Sequence, residues 1–308
     1  MPKTFFSGKI EEFKKFDLST LSFPAVIKPV DRAASDGVSI CSDLSALNKA
    51  VDAAFKISYC GRIIIEQFAE GHEFTAHYTI MNGKAALSAI DNRYPKALHD
   101  GTVTTIPIAR VYPSLFINPF LKKVNDKMLK LCEGIDLQDG VIFVQGIYNE
   151  LDDEFYVFEA GLRPAAEAPC RFAEKLTGKN HYKMLIDKLM NIETEYELND
   201  EDPYMRGKVC GIVSLASKGG VVAEINGLEA ITNKIPGLFQ YESRYPVGSL
   251  IPDGDSLRQL VMRFLLITES REELAERVEA INRTISLKDR KGNDLLVRMM
   301  PERVLGYK

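Results

Sequence analysis

Residues 144–164 read VQGIYNELDDEFYVFEAGLRP. Two runs with strand-like alternation flank an acidic, turn-forming centre, so 141–149 and 154–160 are predicted to pair as an antiparallel hairpin about Asp152. That register sets Gln145 opposite Glu159, with Cβ atoms roughly 5 Å apart on one face. Two oxygen-bearing side chains so placed suit a hard cation such as magnesium, which takes few protein ligands and completes its shell with phosphate and water. Period-two alternation carries Gly161 and Arg163 onto the same face. An arginine there can neutralise a phosphoryl group beside the metal. A polar hairpin with an ordinary surface arginine fits this stretch equally well on its own, so its neighbours decide.

Upstream, FPAVIKPVDRAASDGVSI (23–40) sets a buried strand ending at Lys28 against a loop of small residues from Asp31 to Gly37. Backbone amides in such a loop approach anions closely, and the lysine supplies the point charge that phosphates need. A strand ending in Lys-Pro before an exposed turn has the same appearance without a ligand. Further on, RIIIEQFAEGHE (62–73) places Glu66 at the end of an apolar run and Glu73 seven residues later. Backbone groups at Glu66 and Phe68 can meet a purine edge while Glu73 accepts hydrogen bonds from ribose hydroxyls; a surface turn carrying acids is the alternative.

Composition limits the function classes. The 308 residues are 45% hydrophobic and 27% charged, with a formal charge of −4. This predicts a soluble chain of two or three lobes and no basic field for nucleic acid. Neither a membrane-spanning run nor a secretion signal is present, so the expected compartment is the cytoplasm. The five cysteines have no CxxC spacing and are expected to be reduced, and His72 and His77 are expected to be packed or solvated. There is no GxSxG and no P-loop motif.

Mixed α and β patterning runs throughout. SGKIEEFKKF (7–16) is predicted as a short amphipathic helix and DLSALNKAVDAAF (43–55) as a helix capped by Asp43. HEFTAHYTIMNGKAALSAIDNRY (72–94) reads as a hairpin turning at Asn82-Gly83. FLKKVNDKMLKLC (120–132) is predicted helical, and NIETEYELNDEDP (191–203) is predicted as a linker or exposed edge. Two strands are expected around Lys218-Gly219-Gly220, and a helix over SREELAERVEAI (270–281) with Ser270 and Glu273 at capping-box spacing.

Taken in order, VIKPVDRAASDGV, IIIEQFAEGHE and VQGIYNELDDEFYVFEAGLRP resemble the ATP-grasp superfamily, including its carbamoyl-phosphate synthase and biotin carboxylase branches. The resemblance covers roughly residues 20 to 190, and VCGIVSLASKGGVVAEINGLEAI (209–231) resembles the closing lobe of carboxylate-amine ligases. It implies an α+β ATP-grasp fold in which two α/β lobes clasp the nucleotide and a β-rich C-terminal lobe follows. The expected divisions are a small lobe at 1–70, a large lobe with the metal hairpin at 71–192, and the C-terminal lobe at 193–308.

The implied chemistry is an ATP-dependent carboxylate-amine or carboxylate-thiol ligase acting through an acyl phosphate with magnesium. The alternatives it leaves open are a bicarbonate-activating enzyme of the carbamoyl-phosphate synthase or carboxylase type, and a non-catalytic or split-partner nucleotide-binding module. By resemblance Lys28 contacts the nucleotide phosphates, Ser35, Gly37 and Val38 belong to the covering flap, Glu66 and Phe68 read adenine, and Glu73 binds ribose. Gln145 and Glu159 match the magnesium ligands, and Arg163 the arginine that follows them. Gly161 stands where the family pattern has asparagine. Relatives carry an N-terminal α/β domain before the lysine, which implies a homodimer or a partner supplying that domain. Expected partners are otherwise a small-molecule carboxylate and an amine, with no nucleic acid or membrane. Arg93, His99, Arg110 and Arg171 are candidates for substrate recognition.

Overall fold

A computed structural model describes residues 1–33, 35–97, 103–165, 169–253 and 257–306. Two compact units emerge. The first comprises 1–71 with 147–158, and the second 72–146 with 159–308. The chain passes from the first unit to the second between residues 71 and 72, and 193–308 groups with 72–146.

The first unit is a four-stranded antiparallel sheet. Its strands, β1 (Thr4–Lys9), β2 (Ala25–Pro29), β3 (Ser39–Cys41) and β4 (Arg62–Gln67), lie in the order β1-β4-β2-β3. A helix over Leu44–Ile57 covers one face with Leu47, Val51 and Ala54, spaced along one helical stripe, against Ile27, Ile63 and Ile65. Asp43 caps it, its carboxylate accepting from the Ala46 N–H at 2.8 Å. The N-terminal stretch corrects the sequence reading: residues expected as a helix form β1 and a single helical turn, Ile10–Phe13. Alternation explains it. Phe6 and Gly8 are buried while Ser7 and Lys9 are exposed, and β4 offers an edge for the run to pair with.

In the second unit β5 (His72–Met81), β6 (Lys84–Ala97), β7 (Val103–Tyr112), β8 (Gly140–Asn149), β9 (Glu154–Gly161) and β10 (Val209–Ser217) contribute to one large sheet, in which β8 and β9 are neighbours. The outer ends of β8 and β9 group with the first unit. Asn82 (φ 50°) and Gly83 (φ 74°) turn β5 into β6 with both central residues left-handed, the twist a two-residue hairpin requires. The helical run after β7 bulges through a π-turn at Leu121–Asn125 before continuing over Asp126–Gly134.

The C-terminal residues share this sheet because β10 pairs with β7 on one side and with Leu260–Thr268 on the other. Strands flank Lys218-Gly219, β10 ending at Ser217 and Gly220–Val221 following, and the second of them pairs with Leu250–Ile251. The helix Arg271–Thr284 packs Leu274, Val278 and Ile281 into the core. Its Ser270 hydroxyl accepts from the Glu273 N–H at 3.2 Å, but the reciprocal bond falls one residue earlier, from the Glu269 N–H to the Glu273 carboxylate at 2.8 Å. The polar run at 191–203 is no plain linker, since Tyr196 and Glu201 are buried in this unit. No helix among the described residues is long and apolar enough to cross a membrane.

Candidate active site

In the first unit, the face of β2 and β4 turned from the helix carries Lys28 and Glu66. Ala25, Ile27, Ile63 and Ile65 take the core side, so alternation leaves Val26, Lys28, Ile64 and Glu66 on the other. Lys28 lies one register step from Glu66, whose carboxylate it meets at 2.5 Å, and its ammonium sits 5.9 Å from the Phe158 ring. The expected purine-reading amide of Phe68 already donates to the Pro24 carbonyl at 3.2 Å. Glu66 itself is in register with strands on both sides, Thr4 and Val26. The expected backbone readout at these two residues is therefore largely occupied by protein contacts.

The loop after β2 is anchored at both ends. Asp31 accepts from the Ser58 hydroxyl at 3.0 Å and the Cys60 N–H at 2.5 Å, bonds that hold its carboxyl below the usual range. Arg32 lies 4.2 Å over the Tyr59 ring and 3.2 Å from Asp36. Ser35 and Gly37 both have positive φ, 62° and 77°, and the Val38 N–H donates to the Ser35 carbonyl at 3.2 Å. A Cβ at Gly37 would meet Ile57 at 2.3 Å, so only glycine fits where the loop packs on the end of the helix.

In the second unit, Glu159 and Arg163 are exposed and Gln145 is half-buried. Arg163 lies 4.9 Å over the ring of Phe143 and donates to the Pro164 carbonyl at 3.0 Å. That ring also fills the space beside Gly161, where a Cβ would lie 2.2 Å from a Phe143 ring carbon. Gly161 is thus matched to Phe143 by packing. Gln145 and Glu159 offer two hard oxygen donors on neighbouring strands, a set that suits a single magnesium completed by phosphate and water.

One face of β5 is polar at every second position: Glu73, Thr75, His77 and Thr79, the last three buried. Glu73, Thr75 and Thr79 find hydrogen-bond or ion-pair partners. Glu73 pairs with Arg93, one of the four candidates for substrate recognition. Thr75 and Asp91 both accept from Arg110 at 2.7 Å, and Asp91 also takes the Thr75 N–H at 2.8 Å. Arg110 thus has a structural partner. Arg171 pairs with Glu242 at 2.7 Å, and His99 lies outside the described residues.

The sequence reading missed a buried network at the far end of this face. Thr79 and Ser88 share a hydrogen bond at 2.7 Å, while His181, Tyr196 and Glu201 form a triangle with separations of 2.9 to 3.0 Å. Burial pushes the Glu201 carboxyl up, but hydrogen bonds from His181, Thr79 and Tyr196 outweigh it and hold the group below its usual range. Burial, then the positive charge of Arg110 and electrostatic coupling to His181, drive His77 well below the ordinary histidine range. All five cysteines are free thiols, and burial pushes Cys132 up to about 11 and Cys210 up to about 12.

Residues 3–100 match the family model described as D-ala D-ala ligase C-terminus. D-alanine–D-alanine ligase of Streptococcus agalactiae serotype Ia is 42% identical over 72 residues, which cover 23% of this chain and 20% of that protein. The same enzyme of Wigglesworthia glossinidia brevipalpis is 27% identical over 85 residues, covering 27% and 23%. The chain spans about a fifth of the length of these curated relatives. Among solved structures, the L-amino acid ligase from Bacillus licheniformis superimposes with a TM-score of 0.74 at 17% identity, covering 93% of this chain and 67% of that one. The biotin carboxylase domain of Hydrogenobacter thermophilus 2-oxoglutarate carboxylase, in complex with MgADP, ADP and bicarbonate, gives 0.68 at 15%, covering 99% and 65%. These structural likenesses are of fold, and they give the chain an ATP-grasp fold, within which residues 3–100 match the ligase model.

Proposed function

We propose that the chain is the nucleotide-binding and catalytic part of an ATP-dependent carboxylate-amine ligase. The observation that carries this reading is the ligase match over 3–100, which takes in Lys28, Ser35, Gly37, Val38, Glu66, Phe68 and Glu73 together. In this reading Lys28 exchanges its contact with Glu66 for the phosphates of ATP, and Glu73 and Arg93 border the nucleotide. Gln145 and Glu159 hold one magnesium, which when bound offsets charge on the phosphates. The packing of Phe143 on Gly161 supports the expected facing of Gln145 and Glu159, which lie two positions along from them on the same strands.

A carboxylate is a poor electrophile because its charge repels nucleophiles and oxide is not a viable leaving group. Attack of a carboxylate oxygen on the γ-phosphorus releases ADP and forms an acyl phosphate, a mixed anhydride whose phosphate can leave. The amine then bonds to the acyl carbon as phosphate departs, and a base takes its proton. Arg163 neutralises the transferring group, and its stacking on Phe143 fixes where that charge lies.

Calorimetric titration of the chain with ATP, with and without magnesium, followed by a screen for phosphate release with carboxylates and amines, tests the proposal. Magnesium-dependent binding and release that needs both substrates support it. Binding without substrate-dependent release assigns the chain a nucleotide-binding role alone, and release driven by bicarbonate alone assigns it to the carboxylase-type chemistry.

A further inference from the structure

The second unit contains a small cavity with polar groups set in a largely apolar wall. His77, Thr79, Ser88, Arg163, Cys170 and His181 line it, with Val141 and Ile142 as apolar wall. A neighbouring cavity shares Ser88 and His181 and extends to Tyr196 and Glu201. Both histidines are more than nine-tenths buried, and each has a buried ring nitrogen without a hydrogen-bond partner: Nε2 of His77 and Nδ1 of His181. An unsatisfied buried polar atom is destabilising, so two in one cavity wall call for an occupant.

The hydrogen-bond network determines what that occupant offers. Glu201 is ionised and can only accept, and its donors are Thr79, Tyr196 and the Nε2–H of His181. When His181 is neutral with its one proton on Nε2, Nδ1 carries a lone pair. The Glu201–His181 pair therefore has the logic of a carboxylate-oriented imidazole base, with its free nitrogen in need of a donor. A small group bearing N–H bonds satisfies it; a carboxylate or phosphate oxygen does not.

We propose that this cavity receives the amino group of the amine substrate and that His181 Nδ1 accepts its proton. The inference rests on the ligase reading above. The ammonium N–H bond breaks toward Nδ1, leaving an imidazolium held by Glu201 and an amine lone pair free to bond to the acyl carbon. Arg163, in the same lining, relates the cavity to the residue expected at the transferring phosphoryl group.

The test follows the histidine ring nitrogens of the full-length, 15N-labelled chain by NMR during titration with methylammonium, and with tetramethylammonium, which has no N–H, at constant ionic strength. A saturable shift at His181 Nδ1 with methylammonium only, weakened at least tenfold in Glu201→Gln, is the expected result. The same shift with both ions, or none with either, shows a water-filled cavity and overturns the proposal. ATP titration and phosphate release are measured on the same sample. Acid- and amine-dependent turnover with an unmoved His181 signal overturns the amine site and leaves the ligase reading standing; a specific His181 shift without nucleotide binding supports the amine site and overturns the ligase reading.

Discussion

The ring of Phe143 occupies the space that any side chain at residue 161 would need, since a Cβ built on Gly161 lies 2.2 Å from Cε1 and 2.5 Å from Cζ of that ring. The ring is 3% exposed and also lies beneath Arg163. The glycine that replaces the family's asparagine is therefore one half of a packed pair.

Restoring asparagine alone is expected to fail. Gly161→Asn overpacks the Phe143 side of the sheet and lowers stability by about 1–3 kcal/mol, read from urea midpoints. Phe143→Ala combined with Gly161→Asn is expected to recover part of that loss, giving a double-mutant coupling above roughly 0.5 kcal/mol. Additive losses would show that the two residues do not share this space.

Lys28→Met is expected to weaken ATP binding by tenfold to a hundredfold, the order of a hydrogen bond to a charged group of about 1.5–3 kcal/mol. Calorimetry checks it. Unchanged affinity would place the phosphates elsewhere. Lys28→Met, Glu66→Gln should keep the stability of the single variant or improve on it, because it also removes the carboxylate stranded at a half-buried site.

Glu159→Ala is expected to remove most of the magnesium dependence of nucleotide binding, and Gln145→Ala part of it. The comparison is ATP affinity with magnesium and with chelator. Full magnesium dependence in Glu159→Ala would sink the metal assignment.

Arg110→Met should be among the most damaging single changes in the second unit. It leaves Asp91, fully buried, without the cation 2.7 Å away, and breaking such a pair costs about 3–5 kcal/mol. Thermal or urea unfolding measures it, and a loss below 1 kcal/mol would contradict the buried network.

Acid sensitivity should begin with His77. Its folded-state value is well below the ordinary 6.5, so below 6.5 the unfolded chain binds a proton that the folded chain refuses. Stability is full above that pH and falls as pH drops through the window beneath it, by up to about 1.4 kcal/mol per pH unit. His77→Phe should flatten the urea midpoint between pH 6.5 and 5.5. Glu201 acts lower: held below its ordinary 4.5, it contributes stability above that pH and loses it as pH falls toward the folded-state value.

Much of the fold is legible in local chemistry. The Asp43 cap, the left-handed Asn82-Gly83 turn and the alternation of β2, β4, β8 and β9 depend on neighbours a few residues away, and all are present. The ordered segments around Lys28, Glu66 and Gln145 to Arg163 also sufficed to point to the superfamily. Tertiary contact decided the rest. Residues 4–9 became a strand because β4 offered an edge, the C-terminal residues joined the large sheet because β10 paired with β7, and the run at 191–203 turned inward with Tyr196 and Glu201. No sequence period links Thr79, His181 and Glu201. Their meeting depends on long-range packing, and burial there is what turns an ordinary threonine, histidine and glutamate into a charged, directional network.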